Sequence, residues 1–444
     1  MLFDGDALIR GGVVVTMDGQ RTVHAPGDVL IQGGVIRAIG KRVSTRRIAH
    51  VVDARGCAVL PGLVQSHVHL CQALFRGMAD ELPLMRWLRE RIWPLEAAHD
   101  AASMRASAEL GLTEMLLGGT TTILDLGSVH HQDAVFRAME ASGIRGISGK
   151  SMMDAGAGVP KGLRETRAAS LRESQRLAER WDGAADGRLG YAFAPRFILS
   201  CSEALLREVA RLSEQHGLRI HSHVAEHAGE REEVRRQLGK DDVDALASYG
   251  VAGERTVLAH GVQLTAAQMK RVAEAGTRIV HCPSANLKLA SGIANVVAMR
   301  EAGIVVGLGA DGAPCNNRMD AWTELRQASL LAKGMRLDAA ALPAEEALEL
   351  ATIEGARALG LADRIGSLEV GKAGDVIVVD QRGPHVSPPA DPYASLVYGT
   401  TAADVRHVFV DGRWIVKDRA LSTLDPTDVL ARATREAKKI AKRA

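Results

Sequence analysis

Pro61-Gly62-Leu63-Val64-Gln65-Ser66-His67-Val68-His69 ends in two histidines separated by one residue, after an apolar run that begins at Cys57. The length and flanks of that run suit a buried strand. On a strand, residues i and i+2 share a face, so His67 and His69 present two imidazoles together. Two neutral imidazoles held side by side are half of a transition-metal site. A lone His-X-His is more often a half-buried strand with satisfied histidines. The reading therefore turns on whether later strands end in matching ligands.

The middle of the chain alternates strand and helix patterns. Strands are predicted at Ala58–His69, Thr120–Leu126, Gly146–Met152, Gly190–Arg196, Arg219–Val224, Thr256–His260, Thr277–His281 and Ile304–Gly309. Helical stretches such as Ala102–Leu117, Ala204–His216, Ala266–Ala275 and Met319–Ala332 lie between them. Eight such units predict an α/β fold, a closed (β/α)8 TIM-like barrel whose strand ends open at one face. An open doubly wound sheet would want a Gly-rich phosphate turn after its first strand, and none is present. Short strands at both ends of the chain, among them Asp28–Gly40 around Gly33-Gly34 and Val408–Val416, predict a small composite β-sandwich formed by both termini. The expected domains are residues 1–56 with 365–424 for that module, 57–364 for the barrel, and 425–444 for a C-terminal helix opening at Asp425-Pro426.

Barrel chemistry sits at the C-terminal strand ends. Of fifteen histidines in the chain, six (His67, His69, His221, His223, His260 and His281) fall at these ends, and Asp311 follows the eighth strand. Any one alone is a routine core or loop histidine; their joint placement is a poor match to chance. Imidazoles with one carboxylate suit Zn²⁺ or Fe²⁺, whereas calcium and magnesium want oxygen ligands. On the fifth strand, Glu226 follows His223 by three residues, placed to serve a metal-activated water and the substrate together. His223 is accordingly the expected ligand, and His221, one layer lower, a structural residue. The fourth strand ends Ala194-Pro195-Arg196-Phe197, with no lysine or acid to bridge two metals, which predicts a single ion and argues against cyclic-amide hydrolysis at a two-metal site.

The bulk properties narrow the class further. A chain of 444 residues with formal charge +2 and 3% aromatics has neither the basic footprint nor the stacking platforms of a nucleic-acid binder. Cysteines at 57, 71, 201, 282 and 315 are odd in number and form no CxxC pair, so no disulfide framework or thiolate site is expected. No apolar stretch approaches the roughly 20 residues of a membrane span, and a beginning that carries Asp4 and Asp6 lacks a signal-peptide pattern. The expectation is a cytoplasmic enzyme whose partner is a small molecule, not a nucleic acid or a membrane. Barrels of this kind commonly pair, so a homo-oligomer, dimer or larger, is expected as well.

The sequence resembles the amidohydrolase superfamily, in its deaminase and chlorohydrolase branch. The resemblance covers essentially the whole chain and rests on PGLVQSHVHL (61–70), HSHVAE (221–226), LAHG (258–261), HCPSANLKLASG (281–292), GADGAPCNN (309–317) and GSLEVGKAGDVIVVD (366–380). It implies a (β/α)8 barrel with a composite β-sandwich and one divalent metal, usually zinc, which acidifies a water. It implies His67, His69, His223 and Asp311 as ligands, Glu226 as proton shuttle and His260 as a contact of the hydrolytic water, with Asp311 helping to orient and deprotonate it. The implied reaction replaces a ring amino group by a keto group and releases ammonia.

Substrate signals point two ways. Leu82–Trp87 followed by Ile92-Trp93-Pro94-Leu95-Glu96 resembles members that deaminate S-adenosylhomocysteine, methylthioadenosine or 5′-deoxyadenosine, which implies that Glu96 binds ribose hydroxyls and Trp87 lines the pocket. Arg196 stands where those members usually carry a histidine. Together with Gln72 it resembles guanine deaminases, in which such residues hydrogen-bond the purine edge. His281 is a further candidate contact. A 5′-modified adenosine is the first expectation, guanine or a pterin the second, and an amino- or chloro-s-triazine the third.

Overall fold

The computed structural model describes residues 3–4, 6–45 and 48–444. Eight parallel strands form the central sheet: β1 (Leu63–Val68), β2 (Thr120–Leu126), β3 (Arg145–Gly149), β4 (Leu189–Pro195), β5 (Arg219–Val224), β6 (Thr256–His260), β7 (Arg278–His281) and β8 (Val306–Leu308). Each pairs with the next along the chain, and a short strand, Ser151–Met152, extends β3 beside β4. The barrel closes through a parallel bridge between Val68 and Asp311, where Asp311 N–H donates to the His67 carbonyl at 3.2 Å. A Cβ on Gly309 would lie 2.4 Å from that carbonyl, so glycine is what lets β8 approach β1 this closely. Closure itself thus carries Asp311 to His67 and His69.

The strand expected at Ala58–His69 is two strands. Cys57–Pro61 pairs with Val376–Asp380 and Ala7–Val15 in a second sheet, and only β1 belongs to the barrel. The break falls at Gly62, whose N–H turns to the Asp375 carbonyl at 3.0 Å and whose missing Cβ leaves room for Thr121. An unbroken apolar run conceals this switch, because both halves are fully buried.

The second sheet draws ten strands from both termini, running from Phe3–Asp4 through Arg413–Lys417, Val405–Val410, Val376–Asp380, Cys57–Pro61, Ala7–Val15 and Val23–Gln32 to Val35–Gly40, with Ala420–Leu421 beside Arg413–Lys417 and His50–Asp53 beside Ala7–Val15. The Val23–Gln32/Val35–Gly40 hairpin turns at Gly33 and Gly34, both at positive φ as a tight two-residue turn requires. Helices cover the barrel and start where side chains can satisfy their free amides. Ser202 accepts from Leu205 N–H to open Glu203–His216, which buries Leu205, Leu206, Val209 and Leu212 along one stripe and ends at Gly217 in the left-handed region. Asp425 caps Pro426–Arg443, and that helix packs on Ala101–Leu117 through Arg432 and Glu109, 2.7 Å apart. Among the described residues, no helix is long and apolar enough to cross a membrane.

Candidate metal centre and substrate pocket

His67 and His69 leave the end of β1, His223 leaves β5, His260 ends β6, and Asp311 follows β8. The Nε2 atoms of His67 and His69 each lie 3.3 Å from Asp311 Oδ1, and those of His69 and His223 lie 3.2 Å apart. The ligand atoms of His67, His69 and His223 all fall within 4.8 Å of one another, as do those of His67, His260 and Asp311.

What these atoms carry follows from their far sides. His69 Nδ1 lies 2.6 Å from the Leu126 carbonyl and His223 Nδ1 2.6 Å from the Arg196 carbonyl. A carbonyl only accepts, so each Nδ1 bears the hydrogen and each Nε2 keeps a lone pair. His221 Nδ1 donates in the same way to the Val257 carbonyl at 2.9 Å, which leaves its Nε2 to accept from His67 Nδ1–H at 2.7 Å. His67 Nε2 is therefore a lone pair too, buried and without a hydrogen-bond partner. Burial pushes all three imidazoles below their ordinary pKa, His69 to about 3, so they are neutral. Three lone pairs and a carboxylate facing one another at these distances repel, and a divalent cation is what their chemistry accommodates.

Three non-glycine residues at these strand ends hold left-handed backbone: Ala225 at φ 48°, His260 at φ 80° and Asp311 at φ 62°. Such strain clusters at functional sites, where the surroundings over-determine it. His260 Nδ1 meets Asn286 Oδ1 at 2.9 Å, while its Nε2 lies 3.5 Å from Glu226 Oε2 and 3.9 Å from Asp311 Oδ2. Glu226 is buried, and burial, reinforced by Asp311, pushes its carboxyl well above the ordinary range.

The adjoining cavity is walled by Gln72, Arg196, Phe197 and Glu230, and by the apolar side chains of Leu84, Trp87, Leu88 and Leu289. Trp87 is fixed by its Nε1–H to the Ala79 carbonyl at 2.9 Å. The two residues whose sequence signals disagreed are partners. Arg196 forks onto Glu96, with Nη2 to Oε1 at 3.0 Å, and Gln72 Nε2 donates to the same Oε1 at 2.8 Å. His281, the last residue of β7, is buried with Nδ1 unpartnered, and it is not part of the cavity wall.

A family model described as the amidohydrolase family matches residues 58–415. The chain belongs to the amidohydrolase family. Curated relatives of this amidohydrolase include the 5′-deoxyadenosine deaminase of Methanothermobacter thermautotrophicus, 39% identical over 95% of this chain and 96% of that one. Another is the 5-methylthioadenosine/S-adenosylhomocysteine deaminase of Pelotomaculum thermopropionicum, 37% identical over 98% and 99%. Among solved structures, an adenosine deaminase from Xanthomonas campestris with bound zinc superimposes with TM-score 0.92 at 32% identity, covering 98% of this chain and 99% of that one.

Sequence reasoning missed several residues of this amidohydrolase's site. His221 was assigned a structural place, and its contact with His67 was not foreseen. Asp125 on β2 escaped notice as well: its carboxylate accepts from Leu70 N–H at 2.8 Å, just past His69, and burial raises its pKa to about 6. Asn286 and Glu230 carried no signal beyond their polarity. His221→Phe is expected to keep the fold yet weaken divalent-metal binding about 10- to 100-fold, since His67 Nδ1–H loses its acceptor. Chelator-competition titration measures this, and unchanged affinity would remove His221 from any positioning role.

Proposed function

We propose that this chain is a zinc-dependent aminohydrolase that converts a 5′-modified adenosine, such as 5′-deoxyadenosine, methylthioadenosine or S-adenosylhomocysteine, to its inosine analogue and ammonia. The observation that carries the substrate class is the similarity, over nearly the whole chain, to curated relatives named for those reactions. His67, His69, His223 and Asp311 are the proposed ligands; three imidazoles and a carboxylate suit Zn²⁺, with Fe²⁺ second. Bound there, the ion supplies Lewis acidity that brings a water's pKa toward about 7.

The chain's own groups do the rest. Asp311 Oδ2 and His260 Nε2 orient the attacking water. Glu226 takes its proton, delivers one to the ring nitrogen beside the amino-bearing carbon, and then helps pass a proton to the departing ammonia. Leu84, Trp87 and Leu88 exclude bulk water. Glu96 offers one remaining lone pair to a sugar hydroxyl, while Gln72 and Arg196 are proposed to hold the purine. We further propose that the enzyme works in the cytoplasm, where its five buried free cysteines stay reduced, and as a homo-oligomer.

The cavity measures about 30 Å³, room for water and not for a nucleoside. We propose that the segment carrying Leu84, Trp87 and Leu88 swings out and recloses. Hydrogen exchange over residues 77–92 is expected to slow when an unreactive adenosine analogue binds; unaltered exchange would place the entrance elsewhere.

One observation favours guanine or a pterin as the second reading. Gln72 Oε1 is buried without a partner on the cavity wall, and those rings bring N–H donors that adenine's ring lacks. An ammonia-release screen across adenosine derivatives, guanine, pterins and s-triazines decides between them. Activity is expected to vanish on chelation and return with zinc; a metal-free protein that stays inert after zinc is restored would end the proposal.

A further inference from the structure

Glu230 lies four residues past Glu226, as the third residue of the helix Ala228–Leu238, whose N-cap is His227. A glutamate at this position is placed to cap the free amides of the helix's first turn. The cap leaves part of the group unused. Glu230 is 1% exposed, and its Oε2 has no hydrogen-bond partner. The residue sits on the wall of the same cavity as Glu226 and Trp87.

A buried carboxyl oxygen left unsatisfied is destabilising unless something arrives to bond it. The contrast with Glu96 says what. Glu96 Oε1 already accepts from Arg196 and Gln72, and Oε2 accepts from Arg196, so that carboxylate has a single lone pair to spare. If Glu96 meets the sugar, as proposed above, a diol brings two hydroxyls and Glu96 can answer only one. On the reading of this site as an adenosine-type deaminase, we propose that Glu230 is a sugar-recognition residue whose Oε2 accepts a hydrogen bond from a hydroxyl of the substrate's ribose. Burial, then the neighbouring Asp242 and Glu226, pushes the Glu230 carboxyl well above its ordinary range.

Steady-state kinetics on the zinc-loaded enzyme test this from both sides of the contact. For the wild type, removing the 2′- and 3′-hydroxyls from 5′-deoxyadenosine is expected to cost at least tenfold in kcat/KM. Glu230→Gln keeps the shape and an oxygen for the helix cap. It is expected to raise KM for 5′-deoxyadenosine about tenfold, to change kcat less than threefold, and to shrink the penalty for the missing hydroxyls severalfold. Free adenine should be handled alike by both enzymes. A wild type indifferent to the hydroxyls overturns the proposal whether or not the variant folds. Equal penalties in both enzymes, or equal losses on nucleoside and free base, overturn it in favour of a cap alone. Turnover of 5′-deoxyadenosine without sugar discrimination defeats this inference only, whereas no ammonia from any adenosine derivative defeats the functional reading with it.

Discussion

Glu226→Gln is expected to lower kcat by about 10²- to 10⁴-fold, the range a positioned proton carrier contributes, with KM and metal content close to wild type. The amide preserves volume and polarity but cannot carry the proton that must leave water and reach the ring. The backbone around Glu226 leaves it little freedom to be replaced by a neighbour. Ala225 is held left-handed, its N–H taken by the Asp242 carboxylate and its carbonyl by Gln263 N–H at 2.8 Å, while the Val224 carbonyl accepts from Gly261 N–H at 3.0 Å. None of the four proposed ligands depends on the Glu226 side chain, so the ion should stay bound. Steady-state rates with metal analysis on the same preparation check both halves. Turnover within threefold of wild type would take Glu226 out of the shuttle role, and loss of metal would show that it supports the ligands instead.

Much of this arrangement could be read from the chain. Strand ends are local signals: His67, His69, His223, His260 and Asp311 each sit beside an apolar run with a strand's length, and β2, β5 and β6 fall on the residues expected for them. Partnerships across the barrel are not local, and they went unread. Whether His221 touches His67 depends on the lateral placement of β1 and β5, 154 residues apart in sequence. The break at Gly62 depends on Thr121 from the next strand, which no periodicity reports. The conflicting pulls of Glu96 and Arg196 had the same origin. Taken singly, each suggested a different substrate, and only the fold places them 100 residues apart in sequence yet in direct contact.

That contact carries the second large effect. Glu96→Ala is expected to destabilise the enzyme by about 3–5 kcal/mol, the loss typical when one member of a buried ion pair is removed. Both side chains are almost wholly shielded from water, at 3% exposure for Arg196 and 0% for Glu96. Removing the carboxylate strands a guanidinium that cannot shed its charge, and the deficit is a large part of the 5–15 kcal/mol that usually separates folded from unfolded chains. Replacing both partners, as Glu96→Leu with Arg196→Met, should recover most of the stability, because desolvating the pair cancels much of its attraction. Burial pushes Glu96 upward, but Arg196, with Gln72, brings its carboxyl below the ordinary 4.5. A depressed folded-state value contributes stability above that pH and loses it as pH falls through the folded value. The advantage of wild type over Glu96→Ala should therefore narrow below about pH 4.5. Denaturant midpoints for the single and double variants across pH measure all three statements. If Glu96→Ala unfolds at the wild-type midpoint, water reaches Arg196 in the open enzyme and the pair is a movable part of the pocket. If the double variant is stable but binds 5′-deoxyadenosine as tightly as wild type, the pair is scaffold, and recognition of the purine and its sugar falls to the other residues of the wall.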